Sequence, residues 1–305
     1  MNEHDIVVIG GGPAGLTAGL YASRAGLSSL LVERGVFGGQ MVNARMVENY
    51  PGFPNGIAGM ELGSHMEEQA SRHGLQTLFA EVTGLGPGSP LRLDTTEGTL
   101  SARAVIVATG ARYRQLGVPG EKEYTGRGVS YCASCDGFFF RDQEVAVVGG
   151  GDTAVSDALE LAHYARRVYL VHRRDRLRAG HVLVQRASGD PRIEFVWDSV
   201  VDRITGEQMV SGITVRNLKS GDTRAIALGG VFVAVGVMPN SQPFAGILTT
   251  DEAGSITVDH DLATSVPGVF AAGDVRQHSP RQIGSAVGDG VTAALAAARY
   301  IQSRA

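Results

Sequence analysis

The sequence predicts an α/β protein of two domains, one inserted into the other. Two observations lead there. A unit of apolar strand, glycine-rich turn, helix and second strand occurs twice, at Asp5–Gly35 and at Glu144–Asp175. Around these units stand short β-branched runs closed by glycine, Ala104–Gly110, Val231–Gly236 and Val269–Asp274, the pattern of buried strands. A chain of 305 residues is also long for one core and suits two.

The first unit turns at Gly10-Gly11-Gly12-Pro13-Ala14-Gly15 and its second strand ends at Glu33. The second unit turns at Gly149-Gly150-Gly151-Asp152-Thr153-Ala154 and ends at His172. Aligned glycine on glycine, Glu33 falls opposite His172 with no gap. In such a turn the first glycine permits the tight bend and the second lets backbone approach a pyrophosphate. The third, replaced by Ala154 in the second copy, lets helix and strand lie close. The pyrophosphate rests on the helix N-terminus, where free N–H groups and the helix dipole favour an anion. A ligand-free glycine turn would explain one copy. Two in register, each in its strand–turn–helix–strand context, point to two Rossmann-like dinucleotide-binding domains.

The residue that closes each second strand separates the two ligands. Glu33 can accept hydrogen bonds from ribose hydroxyls and repels a 2′-phosphate, so the first site suits FAD or NAD. In the second copy His172-Arg173-Arg174 stands there, with Arg178 one turn further on. Guanidinium groups match a phosphate in charge and geometry, so this site should prefer NADPH. A solvated basic loop is the blander reading of the same residues. After Val269–Asp274, Ser279 and Pro280 fit the N-cap and first position of a C-terminal helix. Proline and glycine mark candidate hinges near Ala111–Gly120 and Pro239–Pro243, which makes the second domain an insertion in the first.

Cys132-Ala133-Ser134-Cys135 holds the only cysteines. Zinc would need about four ligands, and no second cysteine pair or close histidine pair is present, so no metal is expected. A redox pair explains the spacing better than chance packing does. Asp136 follows directly and serves either as general acid or as cap of a helix starting near Gly137. The formal charge is −4 with no basic stripe, which argues against nucleic acid. Apolar residues make up 43% and charged residues 19%, a globular balance. No basic-then-apolar leader precedes the strand at Asp5 and no apolar run approaches the ~18 residues of a membrane span, so a cytoplasmic location is expected. Trp197, His163 and His181 read as packing or surface residues.

Gly10–Gly15, Cys132–Gly137, Gly149–Ala154, His172–Arg178 and Gly273–Gln282 together resemble the low-molecular-weight thioredoxin reductases, over essentially the whole chain. Gly38-Gly39-Gln40 and Glu48-Asn49-Tyr50-Pro51-Gly52 look like that family's flavin-side segments. The resemblance implies a homodimer whose subunits carry an FAD domain, 1–115 and 242–305, and an NADPH domain, 116–241, with the dithiol. It implies FAD on Gly10, Gly12, Pro13, Ala14, Gly15, Glu33, Gly39, Gln40, Asn49, Thr109, Gly110, Gly273, Asp274, Arg281, Gln282 and Ile283. NADPH would lie on Gly149, Gly151, Asp152, Thr153, Ala154, His172, Arg173, Arg174 and Arg178. The activity implied is reduction of the disulfide of thioredoxin or a thioredoxin-like protein. Cys135 would be the flavin-facing sulfur, Asp136 the proton donor and Cys132 the attacking thiol, with two alternating domain orientations.

This chain departs from the family at Ser134, where threonine is usual, and at Pro280 and Ile283, where the best-known members have an aromatic residue and alanine. A dithiol oxidase or a ferredoxin-driven reductase on the same fold is the alternative. Either would have little use for the arginine cluster. A non-catalytic redox sensor would need fewer dinucleotide motifs than are present.

Overall fold

β1 (Glu3–Ile9) sends alternate side chains into two cores, Ile6 and Val8 into one and Val7 and Ile9 into the other. A strand has a period of two, so a strand apolar on both faces must be covered on both. The computed structural model describes residues 3–44 and 46–304. In it, α1 (Pro13–Arg24) covers one face of β1 with Ala14, Leu16, Ala18 and Ala22, and leads into the parallel β2 (Ser29–Glu33). After α2 (Gly59–Arg72) come β3 (Gln76–Phe79), β4 (Val82–Gly86), β5 (Leu91–Thr95) and β6 (Gly98–Val107). β6 lies parallel to β1 on the side away from β2, and its first half pairs antiparallel with β5.

The chain then crosses through β7 (Ala111–Tyr113) into a second unit. There follow β8 (Val129–Ser130), α3 (Ala133–Asp136), β9 (Glu144–Gly149), α4 (Asp152–Leu161), β10 (Arg167–Val171), α5 (His181–Gly189) and β11 (Ile193–Val196). β12 (Ser199–Gly206), β13 (Val210–Asn217) and β14 (Thr223–Ala227) form an antiparallel sheet, and β15 (Gly230–Ala234) returns to the parallel one. β16 (Val237–Pro239) pairs with β7, and β17 (Val269–Ala271) and α6 (Ile283–Gln302) complete the first unit. The two units hold the residues up to Arg112 with those from Met238, and Tyr113–Val237.

Each unit is a doubly wound sheet. The first runs β3-β2-β1-β6-β5-β4, with β17 parallel to the end of β6; the second runs β11-β10-β9-β15-β8, all parallel. Strand order therefore reverses between β1 and β6 and again between β9 and β15. Ligands of such sheets bind at these switch points, outside the carboxyl ends of the strands. Behind them the second unit repeats the two-faced packing. Val145 and Val147 of β9 meet Ala154, Val155, Ala158 and Leu161 of α4, while Ala146 and Val148 face Ile204, Ile213, Val215 and Ile226 of the small antiparallel sheet.

α6 is the element whose start differs from the sequence reading. It begins at Ile283 with Gln282 as N-cap, not at Ser279-Pro280. Arg281 has a φ of 57°, in the left-handed region, so the helix cannot run through it. The Ser279 hydroxyl is engaged elsewhere, donating to Asp274 at 2.9 Å. Gln282 and Ser285 instead form a reciprocal capping box.

Ile106 of β6 is fully buried between α1 and α6 in the first core. Ile106→Ala is expected to cost about 2–5 kcal/mol, cavity included. A clear fall in Tm by calorimetry would show it.

Candidate active site

The first glycine turn is shaped by close approach. Gly10 has a φ of 105°, and its N–H donates to the Val32 carbonyl at 2.8 Å. A Cβ on Gly15 would run into the Gly10 carbonyl, so α1 can lie this close only with glycine there. At Gly12, the N-cap of α1, a Cβ would meet no protein atom. No side chain caps this helix and its first turn carries no acid. Open space in front of an uncapped N-terminus fits a diphosphate.

Glu33 reaches this turn. Its carboxylate accepts the Gly11 N–H at 2.6 Å and the Gly35 N–H at 2.7 Å, one on each oxygen, which leaves a lone pair on each for a ribose hydroxyl. Gly39 stands beside Gly12, its ideal Cβ 3.3 Å from the Gly12 Cα, and Gln40 donates to the Ala111 carbonyl at 3.2 Å. Asn49 donates to Gln282 at 3.3 Å, joining two segments far apart in sequence. Gly273, with a φ of 75°, has its ideal Cβ 3.0 Å from Ala14. Burial pushes the Asp274 carboxyl up, while Ser279 and Arg281 pull it back. Arg281 donates its N–H to the Ser279 hydroxyl at 3.2 Å, and Ile283 opens α6. The fold thus gathers around the first turn residues that the sequence scatters.

Two supports escaped the sequence reading. Asn240 accepts the Thr109 hydroxyl at 2.8 Å and donates to the Thr109 and Gly110 carbonyls, fixing that corner. Asp289, buried on α6, accepts the Gly273 N–H at 2.9 Å and pairs bidentately with Arg276 at 2.7 and 2.8 Å. One signal was available for Asp289: it is the lone acid in an alanine-rich helix.

In the second unit the turn has the same form. Gly151 caps α4 with open space where a Cβ would be, and a Cβ on Gly149 would press on Ala154. Thr153 is exposed in the first turn. Asp152 does not face an incoming phosphate freely, because its Oδ1 accepts the Gly180 N–H at 2.7 Å. The Arg178 N–H donates to the Gly150 carbonyl at 2.7 Å. These two bonds hold the arginine loop on the turn. Arg173, Arg174 and Arg178 are exposed and form no ion pair among the described residues. His172 differs from them. It is buried beneath Gly150, lies edge-on to Trp197, and its Nε2 finds no partner. Burial, the largest effect, pushes its pKa down and keeps the ring neutral.

The dithiol opens α3. Cys132 is the N-cap residue, and a disulfide joins it to Cys135, which is exposed. Asp136 ends α3 and makes no side-chain cap to the 3-10 turn Gly137–Phe140, so the capping role is replaced. Its Oδ2 accepts the Ser130 hydroxyl at 2.5 Å instead. Burial pushes the Asp136 carboxyl up, and Ser130 partly offsets this. Upstream, the buried Glu121 accepts the N–H groups of Leu116 and Gly117 at 2.8 Å each and the Tyr131 hydroxyl at 3.0 Å. Nothing in the local sequence marked Glu121, Ser130 or Tyr131.

A dithiol beside a half-buried carboxyl, in a unit with an uncapped glycine turn and an exposed arginine loop held on that turn, is equipped for disulfide exchange driven by a nucleotide. A family model described as pyridine nucleotide-disulphide oxidoreductase matches residues 4–290. The chain belongs to this family. It is 45% identical over 301 residues to a thioredoxin reductase of Listeria monocytogenes, covering 98% of this chain and 94% of the relative. Identity to the thioredoxin reductase of Bacillus subtilis is 44%, covering 98% and 95%. The crystal structure of thioredoxin reductase from Streptococcus pyogenes superposes with a TM-score of 0.95 at 46% identity, covering 99% of each chain. The resemblance read from the glycine turns and the dithiol therefore holds over nearly the full length, and the chain is an oxidoreductase of this kind. Among the described residues no helix is long and apolar enough to cross a membrane.

On α4, burial first and the Glu160 charge second push the Asp157 carboxyl up to about 7. Its folded value lies above its unfolded one, so the folded state holds this proton more tightly. The stabilisation is complete below about pH 4 and is lost as pH rises through about 7. Asp157→Asn should raise Tm at pH 8 and leave it unchanged at pH 4, as calorimetric scans at the two pH values would show.

Proposed function

We propose that the chain reduces the disulfide of thioredoxin or a thioredoxin-like protein with electrons from NADPH, through FAD and the Cys132–Cys135 pair. The reading is carried by one observation: a disulfide-forming pair shares its unit with an uncapped glycine turn and an arginine loop tied to that turn. FAD would be held in the first unit by the turn at Gly10–Gly15, by Glu33, and by the segments at Gly39–Gln40, Asn49, Thr109–Gly110, Gly273–Asp274 and Arg281–Ile283. NADPH would lie on Gly149–Ala154 in the second. Arg173, Arg174 and Arg178 would take the 2′-phosphate, and the buried His172 would support the turn from beneath.

Bound FAD would take hydride equivalents from NADPH and deliver an electron pair to the disulfide. Everything else falls to the chain. The electron pair breaks the Sγ–Sγ bond, and Asp136 supplies the departing sulfur with a proton. Cys132 as thiolate attacks the partner disulfide and releases one partner thiolate. Cys135 then attacks the Cys132 sulfur of the mixed disulfide, re-forms the intrachain bond and releases the second. We place the enzyme in the cytoplasm as a homodimer, supported by the likeness to thioredoxin reductases and by a cysteine content limited to the redox pair.

Anaerobic mixing of the flavin-loaded protein with NADPH should bleach the flavin absorbance rapidly, and NADH should do so far more slowly. Bleaching by neither would overturn the assignment of the second turn. Replacing Arg173 and Arg174 by alanine should raise KM for NADPH about 10- to 100-fold, the worth of one or two charge-assisted hydrogen bonds, with NADH unaffected. Cys135→Ser should lose reduction of the protein disulfide while keeping NADPH-to-dye transfer. A wild-type rate with thioredoxin in that variant would refute the exchange scheme.

A further inference from the structure

Ser130 ends β8, two residues before the dithiol, and is 6% exposed. Its hydroxyl has three neighbours within hydrogen-bond reach. It donates to Asp136 Oδ2 at 2.5 Å, it accepts the Cys132 N–H at 3.1 Å, and the Cys132 carbonyl stands as a second acceptor at 3.3 Å. A hydroxyl has one proton, two lone pairs and a free rotor. With Asp136 ionised, the proton points at the carboxylate. With Asp136 protonated, the carboxyl donates to Ser130 Oγ and the Ser130 proton turns to the Cys132 carbonyl. No buried group loses its partner in either state, and an unpaired buried polar group would be costly.

We propose that Ser130 is the positioning residue for Asp136, a hydroxyl rotor that keeps this carboxyl hydrogen-bonded whether it holds its proton or has given it up. The rotor joins the proton state of Asp136 to the backbone of Cys132. Asp136 is tied to the same residue through its own N–H, which donates to the Cys132 carbonyl at 3.2 Å. The catalytic consequence rests on the reading of Asp136 as proton donor; the hydrogen-bonding consequence does not.

The charged neighbours of α3 are few. It packs on α4, whose titratable groups are Asp152, Asp157 and Glu160, and on the 3-10 turn Gly137–Phe140, which has none. None of these charges contributes to the shift at Asp136, whose causes are burial and the Ser130 hydroxyl. Once the disulfide opens, the thiols of Cys132 and Cys135 titrate beside it. Asp157 titrates near 7, so any pH profile must be assigned by substitution.

The test follows the carboxyl directly, by 13C NMR of aspartate-labelled protein in the disulfide form, with Asp136→Asn identifying the resonance. In Ser130→Ala the ionised carboxylate loses its donor, and the titration midpoint should rise by about one pH unit or more. Ser130→Thr should restore the wild-type midpoint. An unchanged midpoint in Ser130→Ala overturns the proposal. Should that variant fail to fold, Ser130→Thr and Ser130→Val, alike in shape and differing in the hydroxyl, give the same comparison. The pH profile of thioredoxin reduction is measured alongside. Its alkaline limb should move up in Ser130→Ala and vanish in Asp136→Asn, whereas a merely misplaced dithiol would lower the rate equally at every pH. If Asp136→Asn keeps the wild-type profile while Ser130 still shifts the midpoint, the acid role fails and the rotor stands.

Discussion

How near a helix can come to the strand before it governs both halves of this protein. At Gly15 and Gly10 no side chain fits, and at Gly149 an ideal Cβ would overlap the Ala154 methyl at 2.7 Å and also the Ala234 carbonyl. That nearness brings the N-terminus of each helix, capped by no side chain, to the point where the sheet order reverses, and there the first-turn N–H groups lie beyond the reach of intrahelical bonds. Glu33 and the arginine loop are details hung on the same frame. Both are fixed by hydrogen bonds to the turn itself, Glu33 through the Gly11 N–H and the loop through the Gly150 carbonyl and Asp152.

Much of this was legible in the sequence because it depends on local chemistry. Glycine spacing, β-branched runs and a Cys-x-x-Cys pair are short-range signals with few physical explanations. The start of α6 was misread for the same reason. Ser279-Pro280 is a good local cap, yet Asp274 claims the Ser279 hydroxyl and Arg281 adopts a left-handed conformation, and neither fact is written locally. Glu121, Asn240, Ser130 and the Asp289–Arg276 pair share this property. Each is identified by the hydrogen bonds it makes in the folded chain, and only for Asp289 did the sequence hold a hint, an acid isolated in an alanine-rich helix.

His172 illustrates a subtler limit. Its place in a basic motif suggests a charged ligand-binding group, but the glycine at position 150 opens a space that its ring fills. Burial keeps it neutral, and Trp197, itself stacked on Phe195 at 4.8 Å, closes the side of that space. Motif membership and chemical role are separate matters. The three arginines are exposed, and the histidine ring lies buried against Gly150 of the turn.

The first unit is discontinuous in sequence, and its last pieces are the ones that complete the corner beside the first glycine turn: Gly273, the Arg276–Asp289 pair and α6. During synthesis the chain emerges from its N-terminus. The unit Tyr113–Val237 therefore has all of its residues available while the first still lacks β17, which pairs with β6, and α6, which covers α1. β6 and α1 must wait with one flank bare. The inserted unit can mature first, and the host closes around its own turn only when the final helix arrives.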